Sequence, residues 1–520
     1  MNPGMPETAA GAYAWGRTAG SLFNADKGYV QRRPESTVLH RVVVNNLETF
    51  LNNARMQDPS GRGISPFVED EFRKFINCGL LAGGFARIRC SGCGFERLVP
   101  FSCKARGICP SCAGRRMSEK AAHMADSVFP DVPVRQIVLS MPFRLRYVLA
   151  WDHELTLKIL KVFYRVLNRS YVNRAKELGI RNPVTGAVTV IQRVGGSINL
   201  NIHFHTAMID GVFSAGDNPK LEFYPLMPPK KEEIRKMVRL VRKRILRLLE
   251  KRGISISGDE YCFDAATDEE PVMADAYAAS IRHMVSMGRR AGQPVMRLAK
   301  EIEEEQTESK SRWHARLHGF DVHAGVRVKA GEREKLEGLL RYLLRPAVAG
   351  KRLTELHDGN ICMELKTRWK DGTSHIIFEP MELLEKLAAA IPRPQVNYVI
   401  YHGALAPNSK YRKRVISYGK DKAPDKQRRT PRPGYHDDNS SPDYKWAELL
   451  RRAFDIDVLT CPRCGGDMKL ISMIEDREVI RKILTHLNLP SELPVPAPAR
   501  APPQTGQQEI DFFPDEDPGF

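Results

Sequence analysis

No stretch of this 520-residue chain is apolar over the roughly 20 residues that a bilayer-spanning helix needs, so a helical membrane anchor is excluded. The start, Met1 to Asn24, is rich in Gly and Ala and lacks the charged lead and apolar centre of a secretory signal. Cysteine is scarce: 10 residues are too few to staple so long a chain as a disulfide scaffold. Acidic residues are also in deficit, with 62 Asp plus Glu against 80 Lys plus Arg. The resulting +18 charge suits a polyanionic partner, either nucleic acid or an anionic membrane surface. There is no internal repeat, and the length calls for several domains.

What is present divides the chain. Residues 1–35 read as a flexible leader and 36–84 as a helical N-terminal segment. Within that segment an amphipathic helix is expected over 65–81, with Ser65 as N-cap and Pro66 at its first position. Cysteines cluster in a module at 85–118, followed by an α/β core at 119–350. The core should hold strands at 134–140, 187–194, 202–212 and 319–328, and helices at 154–177 and 332–345. Helical insertions are expected at about 229–310: a strongly basic helix over 229–252, then a charged helical stretch over 268–310. An extension (351–419), a Lys/Pro/Arg-rich linker (420–445), a short Cys-x-x-Cys module (446–489) and a disordered Pro-rich acidic tail (490–520) complete the reading.

The spacing Cys90-x2-Cys93-x15-Cys109-x2-Cys112 predicts one four-cysteine structural zinc site, with Cys103 and His123 as nearby extra candidates. The competing reading is a set of buried free thiols. Basic residues crowd these knuckles, and Lys104, Arg106, Arg115 and Arg116 are candidates for phosphate contact. The pair Cys461-Pro-Arg-Cys464 is half of a second site. Its partners could be Cys262, Cys362, His486 or a second protomer, and a redox or merely buried pair is the alternative.

In Ile202–Val212, β-branched and apolar residues predict a buried strand, along which side chains alternate. His203 and His205 then share one face, about 6–7 Å apart along the strand, while Phe204 takes the other. Two such imidazoles can grip one metal ion, or they are hydrogen-bonded core histidines. Gln192, on the preceding strand, is the nearest candidate for a third ligand. In helix 332–345, Leu336, Leu339, Leu340 and Leu343 form one stripe, from which Tyr342 and Arg341 stand off. By itself Tyr342 is a surface aromatic packed on a neighbour.

Several segments, in order, resemble the rolling-circle transposases of the insertion sequence 91 family, which are HUH (His-hydrophobic-His) endonucleases. They are Ser102-Cys-Lys-Ala-Arg-Gly-Ile-Cys-Pro-Ser-Cys112, Asn199-Leu-Asn-Ile-His-Phe-His205, Gly319-Phe-Asp-Val-His-Ala-Gly-Val326, Leu340-Arg-Tyr-Leu-Leu-Arg-Pro346, Tyr401-His-Gly-Ala-Leu-Ala-Pro407 and the late Cys-Pro-Arg-Cys-Gly-Gly. The resemblance implies an α/β (α+β) HUH-endonuclease core with a central antiparallel sheet flanked by helices. An N-terminal zinc-binding module and a small C-terminal zinc-ribbon-like module would accompany it.

It further implies that His203 and His205 hold a catalytic Mg²⁺ or Mn²⁺, that Zn²⁺ is structural, and that Tyr342 is the nucleophile. The implied activity is a metal-dependent single-strand DNA endonuclease and strand transferase that drives rolling-circle transposition through a 5′-phosphotyrosine. Arg341 and Arg345 flank Tyr342 and could steady phosphates or be ordinary helix-end cations. Two-tyrosine members carry a second tyrosine four residues earlier; here that position is Gly338, as in the single-tyrosine common-region (ISCR) branch.

Expected partners are single-stranded DNA at element ends, target DNA and host replication machinery, with no membrane, in a bacterial, nucleoid-associated cytoplasmic setting. Glu509-Ile-Asp-Phe-Phe513 resembles peptides that dock on bacterial sliding clamps, with Ile510, Phe512 and Phe513 as anchors. The alternatives are a rolling-circle plasmid replication initiator, relaxase-like in its chemistry, and a non-catalytic zinc-dependent DNA-binding protein.

Overall fold

The structure, a computed structural model, describes residues 32–215, 221–254, 269–299, 312–369, 371–420 and 460–500. The leader up to residue 31, most of the expected linker, Cys262 and the tail anchors Ile510, Phe512 and Phe513 lie outside the described residues.

Helices α1 (Val38–Gln57) and α2 (Pro66–Ile76) come first, then strands β1 (Phe85–Cys90) and β2 (Glu96–Pro100) and helix α3 (Pro110–His123). The middle of the chain runs β3 (Val134–Ser140), α4 (Phe143–Trp151), α5 (His153–Glu177), β4 (Gly186–Val194) and β5 (Leu200–Ile209). The hairpin β6 (Gly211–Ala215) and β7 (Leu221–Pro225) and the basic helix α6 (Lys231–Glu250) follow. Next come α7 (Pro271–Ile281), β8 (Met296–Ala299), β9 (His314–Leu317), β10 (Phe320–His323), β11 (Arg327–Val328) and α8 (Arg333–Leu343). The remainder holds β12 (Leu353–Glu355), β13 (Ile361–Glu364), β14 (Thr373–Phe378), α9 (Pro380–Ala390), β15 (Val399–Gly403) and α10 (Arg412–Ile416). Finally, β16 (Met468–Ile474) and α11 (Arg477–His486) lie beyond residue 460.

Local chemistry sets many of these starts. Asp152 caps α5 by accepting from the Leu155 amide, and Asp476 caps α11 from the Glu478 and Val479 amides. Pro66 opens α2 as expected, but the Ser65 hydroxyl donates to Glu270 at 2.7 Å instead of capping the helix.

The central sheet is antiparallel, in the order β15-β4-β5-β3-β10-β9, with β11 also on β3. It is covered on both faces, so every residue of β5 except Asn201 is buried. Phe204, Leu139 and Ile191 join one core with α5 and α6, where the Phe163 and Phe204 rings lie 6.4 Å apart. On the opposite face Val188, Val190, Ala207 and Ile209 meet the leucine stripe of α8. The basic helix α6 thus contributes its apolar stripe to the Phe204 side, leaving its cations to solvent.

At one end of the sheet a buried charge network ties three strands together. Arg135 on β3 grips Asp210 through two 2.9 Å hydrogen bonds and donates to the Ala324 carbonyl at 3.0 Å. Arg327 and Tyr171 donate to the same carboxylate at 2.7 and 3.1 Å.

Two expectations need correction. Of the stretch 268–310, expected as a charged helical insertion, only 269–299 is described, and that part is not a surface helix throughout: it holds α7, an Ala-rich helix whose Met273 and Tyr277 are in the main core, and β8, which completes a four-stranded sheet with β12–β14. Apolar burial, not surface charge, organises this segment. The expected strand over 319–328 is two short strands, β10 and β11, broken at Ala324-Gly325-Val326, both paired to β3. No helix among the described residues is long and apolar enough to cross a membrane.

Candidate active site and metal centres

Strand alternation places His203 and His205 on the α8 side of the sheet, with ring centroids 4.8 Å apart. Tyr342 sits in the last turn of α8, its ring centroid 5.6 Å from that of His205 and nearly perpendicular to it. Gln192 is in register with His203, and its amide nitrogen donates to the carbonyls of Leu343 (2.6 Å) and Tyr342 (3.3 Å). This contact pins the end of α8 to the sheet and so fixes the tyrosine beside the imidazoles.

The donor set fits a divalent ion. His203 gives its Nδ1 proton to the Asn201 carbonyl at 2.6 Å, which leaves the Nε2 lone pair available. The Gln136 Nε2 amide donates to Nδ1 of His205 at 2.7 Å, which puts the ring proton on Nε2; with the carboxamide turned over, Nδ1 would donate instead and Nε2 would be free to ligate. Nε2 of His205 and Oε1 of Gln192 are both buried without a hydrogen-bond partner among the described residues. Such orphaned polar atoms are costly unless something binds them. Burial, assisted by the Arg345 and Arg146 cations, lowers the His203 pKa to about 4. Burial, with His203 and Arg345 beside it, also takes His205 well below its ordinary value. Both rings are therefore neutral at neutral pH, the form that ligates metals. Among the described residues no third His, Cys, Asp or Glu joins the pair, so Gln192 is the protein oxygen at hand.

The structure separates the two arginines. Arg345 lies over the Tyr342 ring, 4.8 Å from its centroid. Arg341 is instead ion-paired one turn back with Glu337 on the same helix. Gly338, one turn before Tyr342, faces open space: a Cβ there would meet no atom within 4 Å. A Gly338→Ala variant should therefore stabilise the protein by about 0.5–1 kcal/mol, through helix propensity, read as a higher melting temperature.

Beside this group opens a cleft of about 500 Å³. Its lining includes Gln192, Leu343, Leu344 and Arg345 from the site, Arg106, Arg116 and Lys120 from the cysteine module, and Arg193, Arg352 and Lys366. Among the described residues no carboxylate lines it. Burial first, and then Arg345 nearby, lower the Arg352 pKa, with Glu364 acting in the opposite direction. Of the four residues expected to touch phosphate, Arg106 and Arg116 line this cleft, whereas Lys104 and Arg115 are exposed and outside its lining.

The cysteines form two groups, but not those expected. Cys90 and Cys93 do not join Cys109 and Cys112. Instead Cys78, Cys103, Cys109 and Cys112 make one cluster, and Cys90, Cys93, Cys461 and Cys464 the other. In each the sulfurs all lie within 4.8 Å of one another, against an edge of about 3.8 Å for a tetrahedron with Zn–S near 2.3 Å. The first cluster closes because α2 ends at Ile76 and carries Cys78 back against α3, giving Cys78–Cys112 and Cys103–Cys112 contacts of 3.6 and 3.5 Å. Hydrogen bonds from Cys103 and Cys109 hold the Cys78 thiol down, to about 7, toward the thiolate that a metal requires. Cys78 was missed because 24 residues separate it from Cys103, too far for knuckle spacing. His123, Cys362 and His486 belong to neither cluster.

Two family models match the chain. Residues 46–141 match the "Transposase zinc-binding domain", and residues 186–413 match the family described as "Putative transposase". No curated protein and no solved structure is detectably similar. The first region encloses the Cys78 cluster, and the second encloses His203, His205 and Tyr342. With these two domains in order on one chain, around a two-sided antiparallel sheet and cysteine clusters suited to zinc, the chain belongs to the insertion sequence 91 family of transposases.

Proposed function

We propose that this transposase nicks one DNA strand with Tyr342 and transfers it through a covalent protein–DNA ester, in a rolling-circle route of transposition. The observation that carries this reading is the juxtaposition of Tyr342 with two neutral imidazoles at the edge of a basic cleft. The strand runs along the cleft and presents a phosphate between Tyr342 and His205. A Mg²⁺ or Mn²⁺ ion held by His203, His205 and Gln192 would polarise that phosphate and offset its developing charge.

Tyr342 attacks phosphorus in line through its hydroxyl oxygen. The new bond is the tyrosine ester of the 5′-phosphate, the bond broken is that to the 3′ oxygen, and a proton ends on the departing 3′-hydroxyl. The ester conserves the bond energy, so a later 3′-hydroxyl can reverse the step on target DNA. Arg345, stacked on the attacking ring, is placed to steady the phosphate; Arg341, bound to Glu337, supports the helix. A purely regulatory zinc protein would leave the orphaned His205 Nε2 and Gln192 Oε1 without use. Gly338 in place of a second tyrosine confines this chemistry to one nucleophile per chain.

The test is to incubate the protein with labelled single-stranded DNA from the element's end and Mg²⁺ or Mn²⁺, then run a denaturing gel. A covalent adduct that a chelator prevents supports the reading; tight binding without an adduct removes it. The cleft makes a second prediction. Neutralising Arg116 and Arg352 together should weaken single-strand binding at every sequence and lower the salt slope by about 0.7 per lost phosphate contact. Fluorescence anisotropy across a salt series reads both, and an unchanged slope would place the strand elsewhere.

A further inference from the structure

We propose that one zinc ion shared by Cys90, Cys93, Cys461 and Cys464 clasps the C-terminal segment 460–500 onto the N-terminal module. Nothing in the matched zinc-binding region, which ends at residue 141, includes the second pair.

The two half-sites have the same construction. The Cys90 amide donates to the Phe95 carbonyl and the Cys461 amide to the Gly466 carbonyl, both five residues ahead and both at 2.8 Å. In return the Gly94 and Gly465 amides donate to the carbonyls of Cys90 and Cys461 at 3.2 and 2.9 Å. Gly94 and Gly465 close these turns with φ of 74° and 73°, a left-handed conformation that glycine adopts without penalty. Two like knuckles thus face each other across 367 intervening residues, with Cys90–Cys464 and Cys93–Cys461 sulfur contacts of 3.4 and 3.5 Å. Gly466 has no side chain where a Cβ would crowd the Cys464 and Cys90 sulfurs at 3.3 and 3.4 Å.

The backbone continues the join. Strand β16 adds to β1 as its second neighbour, Phe85 opposite Ile474 through Cys90 opposite Met468, so a single three-stranded sheet is built from both ends of the described chain. Apart from the cysteines the attachment is thin. Ile480 and Leu484 pack on Leu81 and Phe85, while Leu470, Ile471 and Met473 stay exposed. A segment of about 40 residues with so small a core is of the size that ordinarily needs a metal or disulfide to stay folded. Beyond α11 the chain crosses α1, where the Ala497 amide reaches the Val44 carbonyl at 2.9 Å and Arg500 the Asn45 carbonyl at 3.1 Å. The clasp therefore sets the path of the chain up to Arg500.

The experiment uses the full chain with a site-specific protease sequence inserted between residues 434 and 435. The uncut wild type should contain two zinc ions per chain, and the double variant Cys461→Ser/Cys464→Ser one. After cleavage the wild-type fragments should co-elute on size exclusion until a chelator is added, whereas those of the double variant should separate. Cys464→His, which keeps a zinc ligand, should restore both the second zinc and co-elution; Cys362→Ser should change neither. Co-elution of the double variant's fragments, or an unaltered zinc count in it, would overturn the proposal. So would separation of wild-type fragments that retain two zinc ions. These readouts are independent of DNA cleavage, so a failure of the nicking chemistry would leave them unmoved.

Discussion

Tyr342→Phe is expected to abolish the covalent DNA adduct and reduce nicking by at least roughly a thousandfold, while leaving DNA affinity and melting temperature unchanged. The substitution removes one oxygen. The ring remains to meet His205 at 5.6 Å and to carry Arg345 above it, so the surrounding packing and the neighbouring cleft persist. Loss of binding along with cleavage would therefore signal a structural role for the hydroxyl. His205→Ala should behave differently: the proposed nucleophile stays, but a proposed metal ligand goes, so the residual adduct should depend less on added Mn²⁺. Adduct formation that survives in Tyr342→Phe would move the nucleophile to another residue, and Tyr398, which lines the same cleft, would be the first to replace.

The second large effect concerns stability. Asp210→Ala should destabilise the protein by about 3–5 kcal/mol, a large share of the roughly 5–15 kcal/mol that holds typical domains folded. Arg135 is almost fully buried and spends two of its donors on this carboxylate; without it, a charge is stranded between β3 and β5. Arg327 and Tyr171 lose the same acceptor. Urea unfolding midpoints read the effect. A loss of less than about 1 kcal/mol would mean that water reaches Arg135 once the aspartate is gone. Arg135→Met combined with Asp210→Leu should recover much of the loss, because a pair removed together leaves no unpaired charge.

Features that depend on neighbours in the chain were legible in the sequence. The bounds of β3, the Pro66 start of α2 and the shared face of His203 and His205 follow from alternation, proline chemistry and apolar patterning. The leucine stripe of α8 likewise marked which side of that helix would be buried, and with it the stand-off of Tyr342. Composition announced a basic chain. It said nothing of where the charge gathers, because the cleft draws its cations from positions between 106 and 366.

The cysteines show the boundary between the two kinds of information. Each Cys-x-x-Cys knuckle is a local turn and is readable as half a site. Joining Cys90 to Cys109 looked natural because they are close in sequence, yet β1 pairs with β16 and turns its cysteines toward Cys461 and Cys464. Tyr342 stands beside His205 for a similar reason: Gln192 and the apolar stripe of α8 fasten that helix across the strands, 137 residues away in the chain. Alternation and turn chemistry act over a few residues and are written locally. Which half-site meets which, and which helix lands on the histidines, is decided by the burial of faces that only the assembled sheet creates.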